Sequence, residues 1–218
     1  MSRGQNTSTA VMQRRVEAHD SLDDFPTPPW ATRAILNWLS ARHLVDRDMT
    51  CREPTANRGY MVRPLSEFFA TIEAADVHDY GLGYPVVDYL WGEDPEMVDW
   101  TFFNPPFRLA QQFIERALRT SRRGVAAIVR SAFIEGIERY NTLYSTTPPS
   151  FVVQHVERVP MVKGRYDPTM STASAYLWLI FLPGEHDTRL RWLHPCRKEF
   201  ERHGDIEPFR RSQPEAWS

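Results

Sequence analysis

An apolar run that ends abruptly in a proline-rich loop most constrains the fold of this chain. Trp100-Thr101-Phe102-Phe103 is followed directly by Asn104-Pro105-Pro106-Phe107. The apolar run is typical of a buried strand, and the two prolines indicate a rigid loop because proline fixes φ. Ligands of α/β proteins bind at the carboxyl ends of the strands. The sequence therefore predicts a functional loop at residues 104–107.

The residue types in this loop suit one kind of chemistry. An exocyclic amino group on an aromatic ring is a poor nucleophile because its lone pair is delocalised into the ring. Two acceptors directed at its N–H bonds would counter this, and the side-chain oxygen of Asn104 and the main-chain carbonyl of Pro105 can supply them. Phe107 offers a flat apolar face for a base taken out of its stack. The alternative is a plain proline-rich turn with a core phenylalanine.

Composition sets the frame for this loop. The 218 residues, 42% of them hydrophobic, fit one globular domain with a sizeable core. The net charge of -2 means that any nucleic-acid contact must come from local basic patches. Two cysteines and the absence of ligand spacing among the histidines predict no disulfide framework and no metal. No long apolar run suggests a signal peptide or a membrane span, so we expect a cytoplasmic protein without membrane contact.

The first half of the chain reads as a nucleotide-binding unit. Polar residues 1–24 predict a flexible arm, and the elements after it are a helix at 31–42, a strand at 49–53, a loop at 54–59, a helix at 60–69, a strand at 71–75 and a short strand at 85–88. Asp76 ends the second of these strands, where an acid can take two ribose hydroxyls. Asp88 ends the third, within reach of an adenine amino group.

The second half completes an α/β fold. A helix at 109–117, a strand at 124–130 and two β-rich runs at 151–159 and 173–182 follow. We expect a doubly wound, mostly parallel sheet with an antiparallel edge hairpin. Residues 25–185 would form the domain, and residues 186–218 would be an extension packed at least partly on it. The hairpin connector, residues 161–172, is long enough to be functional.

Four residues are candidates for nucleic-acid contact through charge or stacking: Arg108, Lys163, Arg165 and Tyr166. The alternative is that the last three only decorate a hairpin tip.

Several motifs together resemble one family. Residues 104–107 resemble the Asp/Asn-Pro-Pro-aromatic signature of S-adenosylmethionine-dependent methyltransferases that act on planar amino nitrogens, chiefly N6 of adenine in DNA. Residues 53–59 resemble the Glu-Pro-x-x-Gly-x-Gly cofactor loop of that family, and Thr27-Pro28 resembles its Thr-Pro element beside the methionine part of the cofactor. The motifs occur in the family's order over roughly residues 25–182.

The resemblance implies a class I methyltransferase fold, which is Rossmann-like, and roles for particular residues. The catalytic set would be Asn104, Pro105, Pro106 and Phe107. The cofactor, S-adenosylmethionine, would contact Thr27, Pro28, Glu53, Pro54, Asn57, Gly59, Asp76 and Asp88. DNA would be the substrate, with RNA as a second possibility. The compact chain also resembles phage or prophage orphan enzymes rather than half of a restriction pair.

One position departs from the family pattern. The family loop carries a glycine where this chain has Asn57. Asn is the next best residue for a left-handed backbone, yet its side chain would stand where the cofactor approaches. Two alternatives to DNA adenine methylation therefore stay open. One is methylation of RNA amino groups or of protein glutamine, and the other is a degenerate, non-catalytic binding module.

Overall fold

The computed structural model describes residues 22–210, so most of the arm predicted at residues 1–24 lies outside the described residues. The strands are β1 Thr50–Glu53, β2 Thr71–Ala74, β3 Val98–Phe103, β4 Ser121–Arg130, β5 Phe151–His155, β6 Tyr176–Phe181 and β7 Arg189–Leu193. The α-helices are α1 Pro29–Ser40, α2 Val62–Phe68, α3 Ala110–Thr120, α4 Ile137–Arg139 and α5 Arg197–Phe200. Short 3-10 turns lie at Ser131–Ile134 and His203–Ile206, and a π-helical turn at Tyr140–Tyr144.

The strands form one sheet in the order β2-β1-β3-β4-β6-β5-β7. Strands β2, β1, β3 and β4 pair in parallel, and β6 runs antiparallel to both of its neighbours. Strand β7 pairs in parallel with β5 and is the outermost strand on that side. The predicted α/β class, with a mostly parallel sheet and an antiparallel hairpin towards one edge, is confirmed.

Alternating strand residues fill two cores, one on each face of the sheet. Trp100, Phe102 and Trp178 belong to the core under α1 and α2, whereas Phe103 and Leu177 belong to the core under α3. This alternation follows from the two-residue period of a strand. It explains why β3, β4 and β6 read as continuous apolar runs, since both of their faces are buried.

The predicted elements were recovered with small shifts at their ends, and two differ in kind. Residues 85–88 form an isolated bridge between Val86 and Asp76 rather than a full strand. Strand β7, which the sequence reading did not predict, lies within the proposed C-terminal extension. The predicted boundaries of the arm, domain and extension stay predictions.

A buried ion pair joins the last part of the chain to α1. Arg33 donates from Nη1 and Nη2 to the two carboxylate oxygens of Asp205 at 2.6 and 2.8 Å, and both side chains are almost fully buried. Arg33 also pairs with Glu67. The segment that follows reaches the cofactor loop, because Phe209 N donates to the Arg58 carbonyl. Residues 201–210 therefore brace the loop that the sequence assigns to the cofactor.

Candidate active site at the carboxyl ends of the strands

A pocket opens where β1, β2 and β3 end, which is where the sequence placed the site. Its lining brings together predicted residues from five separate stretches of chain: Thr27, Pro54, Asn57, Asp76, Asp88, Asn104 and Pro106. Among the described residues that line it, three are aspartates, Asp23, Asp76 and Asp88, and none is Lys, Arg or His. Such a lining favours a cationic or hydroxyl-bearing ligand over a phosphorylated one.

Asn104 is held with its amide in one orientation. Its Nδ2 donates to the Phe25 carbonyl at 2.8 Å and lies 3.8 Å from the Met161 sulfur. Its main-chain N–H donates to Thr55 Oγ1 at 3.3 Å. Because the nitrogen is engaged by a carbonyl that can only accept, Oδ1 is the atom left to accept a hydrogen bond. Asn104 therefore offers one of the two acceptors that the loop chemistry requires.

Phe107 has one cationic and one aromatic neighbour. The Arg130 guanidinium lies 3.6 Å from its ring centroid, and the Phe25 ring centroid is 5.3 Å away at 42°. A guanidinium stacked on one face pre-orders the ring, which remains only partly buried. Phe25 and Arg130 were missed from the sequence because neither is near the loop along the chain.

Glu53 connects the end of β1 to residues 104–107, the predicted catalytic loop. Its Oε1 accepts from Thr55 N at 3.0 Å and from Thr55 Oγ1 at 2.6 Å, and Thr55 Oγ1 in turn accepts from Asn104 N. Burial raises the pKa of Glu53 to about 8, against the opposing effect of the Thr55 hydrogen bonds. A ligand cation nearby would favour the charged carboxylate.

Two buried oxygen atoms of the predicted cofactor set lack a hydrogen-bond partner among the described residues. They are Thr27 Oγ1 and Glu53 Oε2. Buried polar atoms are normally satisfied, so unpaired ones beside a pocket mark places for ligand donors. The α-ammonium and hydroxyl groups of S-adenosylmethionine are such donors, and the residues present fit that group.

Asn57 adopts the backbone conformation that the family glycine would provide. Its φ is 50°, in the left-handed region. Its N–H donates to Asp76 Oδ2 at 2.8 Å, and its side chain contacts Asp24 and the Arg58 N–H. The loop shape is therefore kept, and the amide is engaged by the protein.

Gly59, two residues later, lies where the surrounding atoms leave no room for a side chain. Its φ is 75°, and a Cβ there would lie 2.3 Å from the Phe209 carbonyl oxygen and 2.4 Å from the Tyr84 hydroxyl. Only glycine fits between these two groups.

The two strand-end acids differ in burial. Asp76 is buried, and its oxygens accept main-chain N–H groups of Asn57 and His78 at 2.8 and 2.9 Å. Burial raises its pKa, although these hydrogen bonds oppose the shift. Each oxygen keeps a further lone pair for a ribose hydroxyl. Asp88 is exposed and lies where this pocket meets a second cavity lined by Trp91.

The remaining predicted cofactor residues have supporting positions. Pro28 is buried and precedes α1, and its carbonyl accepts from Ala31 N. Pro54 is buried and lines both the pocket and the adjoining cavity.

The predicted nucleic-acid residues divide into two groups. Arg108, Lys163 and Arg165 are exposed. Tyr166, in contrast, is buried, its hydroxyl donates to Glu201 Oε1 at 2.7 Å, and its ring packs on Tyr60. The predicted stacking role of Tyr166 is therefore wrong, because its ring is covered by the protein.

Within residues 22–210, no group of three or more His, Cys, Asp or Glu side chains is placed to hold a metal ion. In the same part of the chain, none of the helices combines the length and apolarity that crossing a bilayer requires.

Comparison with known proteins identifies the fold. No protein-family model matches the sequence, and no curated protein matches it. Among solved structures, a type I restriction-modification methyltransferase subunit from Streptococcus thermophilus shares 12% identity at a TM-score of 0.60, over 86% of this chain and 50% of that one. A protein from Pyrococcus horikoshii, provisionally described as an RNA methyltransferase, shares 13% identity at a TM-score of 0.55, over 79% of this chain and 95% of that one.

A third structure gives the same picture. A modification subunit from Vibrio vulnificus, of a provisionally described type I restriction enzyme, shares 17% identity at a TM-score of 0.50, over 84% of this chain and 50% of that one. This chain thus spans half the length of the two type I subunits it resembles. The fold of this chain is that of methyltransferases, as the sequence predicted.

Proposed function

We propose that this chain transfers a methyl group from S-adenosylmethionine to an exocyclic amino nitrogen, and that its target is N6 of adenine in DNA. The observation that carries the proposal is the orientation of Asn104, whose Nδ2 is held by the Phe25 carbonyl so that Oδ1 is the acceptor. The methyltransferase fold and the acidic pocket support it. The two type I restriction-modification subunits are matched over only half of their length. DNA as the substrate and a role as an orphan enzyme are therefore part of our proposal for this chain.

The acidic lining also argues against a dinucleotide or nucleoside phosphate as the ligand. A phosphate would face Asp23, Asp76 and Asp88 without a basic side chain among the described lining residues. When bound, S-adenosylmethionine would supply an electrophilic methyl group on a positively charged sulfur. Asp76 would hold the ribose, Asp88 the adenine amino group, and Thr27 with Glu53 the methionine end.

The catalytic loop would act mainly by positioning. Asn104 Oδ1 and the Pro105 carbonyl would each accept a hydrogen bond from one N–H group of the target amine. These two bonds would direct the nitrogen lone pair at the methyl carbon. Transfer would form the N–C bond at the expense of the C–S bond of the bound cofactor, whose sulfur would keep the electron pair, and the surplus amino proton would leave to solvent. Pro106 keeps the loop rigid, and Phe107, backed by Arg130, would stack on the flipped base.

Three exposed cations would contact the nucleic-acid backbone. Arg108 directly follows the catalytic loop, and Lys163 and Arg165 lie in the connector whose Gly164 N–H donates to Asp24. Phosphate contacts position a substrate without selecting its sequence. We therefore expect weak sequence selectivity from these three side chains.

An RNA amino group or a protein glutamine is the second candidate, because the same loop chemistry serves any planar nitrogen. The neighbour provisionally described as an RNA methyltransferase, which this chain covers almost completely, favours RNA within this alternative.

The test is a transfer assay with labelled S-adenosylmethionine. Unmethylated DNA, RNA and a glutamine peptide are offered separately, and products are identified by nucleoside or peptide mass spectrometry. We expect N6-methyladenine from DNA and no product from Asn104→Ala, which should still bind the cofactor in calorimetry. Product on RNA or peptide alone would replace DNA as the substrate. Cofactor binding without any product would favour a binding module, and full activity of Asn104→Ala would overturn the catalytic assignment.

A further inference from the structure

Two consecutive aspartates, Asp23 and Asp24, bind the two loops that form the candidate site. Asp23 Oδ2 accepts from the main-chain N–H of Phe107 at 2.8 Å. Asp24 Oδ1 accepts from Asn57 Nδ2 at 2.7 Å and from Arg58 Nη1 at 2.8 Å. One short segment therefore contacts the catalytic loop with one carboxylate and the cofactor loop with the next.

The segment itself is held in place by its main chain. Phe25 N donates to the Asp23 carbonyl at 3.0 Å, and Gly164 N donates to the Asp24 carbonyl at 2.8 Å. The next carbonyl, that of Phe25, receives Asn104 Nδ2. The three residues 23–25 thus determine where the Asn104 acceptor oxygen points.

Asn57 gives Asp24 a partner that glycine would lack. Its Oδ1 accepts from Arg58 N at 2.7 Å while its Nδ2 reaches Asp24, and Arg58 adds an ion pair to the same carboxylate. The Asp24 and Arg58 side chains are 14% and 26% exposed, so water screens this pair only partly. The departure from the family loop is thus matched by an acid from the preceding segment.

We propose that Asp23 and Asp24 are positioning residues with separate tasks. Asp23 sets the catalytic loop and hence the rate of transfer, and Asp24 sets the cofactor loop and hence cofactor affinity. This inference deepens the proposed function and rests on it. Neither residue acts on the reacting atoms in this assignment.

The first test separates rate from affinity. Single-turnover transfer at saturating S-adenosylmethionine and calorimetric titration with S-adenosylhomocysteine are measured for Asp23→Ala, Asp23→Asn and Asp24→Ala. Asp187→Ala, an exposed acid in the loop before β7, is the control.

Each variant has its own expected pattern. Asp23→Ala should slow transfer about 30-fold, as for loss of one charge-assisted hydrogen bond. The dissociation constant of S-adenosylhomocysteine, whose sulfur carries no charge for Asp23 to attract, should change less than about 3-fold. Asp23→Asn should recover most of the rate, because its amide oxygen can still accept from Phe107 N–H. Asp24→Ala should weaken binding about 10-fold and leave the saturated rate within about 3-fold. Equal losses of rate and affinity in both alanine variants would overturn the division of tasks.

The second test does not depend on activity. In ¹⁵N–¹H spectra, Asp23→Ala should shift the Phe107 main-chain amide signal and leave the Asn57 side-chain signal unchanged. Asp24→Ala should shift the Asn57 side-chain signal and leave the Phe107 signal unchanged. If the unaltered protein transfers no methyl group but the two variants show these shifts, the proposed function fails and the contacts are still supported. If neither amide responds, the contacts themselves are disproved. Should an alanine variant fail to fold, Asp23→Leu and Asp24→Leu provide the same comparison, because leucine is close to aspartate in shape and cannot accept a hydrogen bond.

Discussion

At the scale of single residues, the site depends on which atom of a side chain is already in use. Asn104 illustrates this, because its Nδ2 is committed to the Phe25 carbonyl and its Oδ1 is thereby assigned as the acceptor. Asn57 illustrates it too, since its amide belongs to Asp24 and Arg58. Residue identity alone therefore describes the chemistry less well than the hydrogen-bond partners do.

Asn104→Asp should be damaging here even though Asp occurs at this position in the family signature. The carboxylate lacks the Nδ2 donor, so an oxygen would face the Phe25 carbonyl oxygen across the present 2.8 Å hydrogen bond. We expect single-turnover transfer to fall about 10- to 100-fold, equivalent to roughly 1.4 to 3 kcal/mol for a lost bond and a misplaced acceptor. Asn141→Asp, at an exposed asparagine, is the matched control. An unchanged rate in Asn104→Asp would show that the Phe25 contact does not orient the acceptor.

At the scale of elements, residues 189–209 extend the sheet and contact both α1 and the cofactor loop. Strand β7 extends the sheet beside β5. The turn at His203–Ile206 is tied to α1 through Asp205, and the Tyr60 and Tyr84 hydroxyls donate to carbonyls of Ile206 and Phe209. The cofactor loop thus packs between residues 23–25 and residues 206–209.

Asp205→Asn should test this bracing. The substitution removes one charge of a nearly fully buried pair and leaves Arg33 with Glu67 as its remaining acid. We expect the free energy of unfolding to drop by about 2 kcal/mol, because a charge-assisted hydrogen bond of Arg33 is lost and the new amide nitrogen faces a guanidinium that can only donate. Urea denaturation gives the value.

The control for this prediction is Glu207→Gln, an exposed acid in the same segment. It should stay within about 0.5 kcal/mol of the unaltered protein. Calorimetry should also show weaker cofactor binding in Asp205→Asn but not in Glu207→Gln. Equal stability of the two variants would contradict a bracing role for the ion pair.

At the scale of the whole molecule, a group of acid-paired arginines and the acidic pocket lie at opposite ends of the parallel strands. Three of the arginines near α3 and the start of β4 are paired with acids: Arg119 with Asp94, and Arg122 and Arg123 with Asp99. The carboxylates of the pocket lie at the other end of the parallel strands. Under the proposed function, the exposed Arg108, Lys163 and Arg165 would hold the nucleic acid, and the acidic pocket would receive the cationic cofactor.

Mild acid should weaken the whole fold through one buried histidine. His155 accepts from Trp178 Nε1 at 3.1 Å, and burial lowers its pKa from 6.5 to about 3. Below pH 6.5 the unfolded chain binds a proton at this ring and the native protein does not, so stability is present above pH 6.5 and is lost progressively towards pH 3. Between pH 7 and pH 5 we expect His155 to contribute a loss of about 2 kcal/mol.

Urea unfolding at both pH values, compared with His155→Gln, checks this prediction. Glutamine can still accept from the Trp178 N–H but does not titrate. The variant should therefore lose about 2 kcal/mol less than the unaltered protein over this interval. Identical pH dependence of the two proteins would mean that His155 is not held neutral.

The sequence by itself determined the order of strands β1 to β6 and of helices α1 to α3, the α/β class and the loops at the strand ends. Apolar runs, proline at residues 105 and 106 and the acid after β2 are local signals, and local chemistry decides where a strand stops. The ordered motifs also identified seven of the residues that line the pocket, including Asn57, Asp76, Asp88 and Asn104, which the fold brings together.

Only the tertiary structure decided how those residues are held. Asp24 meets Asn57 across 33 positions, Asp23 meets Phe107 across 84, and Arg33 meets Asp205 across 172. Tyr166 is buried against Tyr60 although Arg165, the residue before it, is exposed. No periodicity encodes such contacts, because they depend on where the sheet carries distant segments. The physical reason is that propensity and pattern act over a few residues, whereas side-chain burial and hydrogen-bond partners are set by packing.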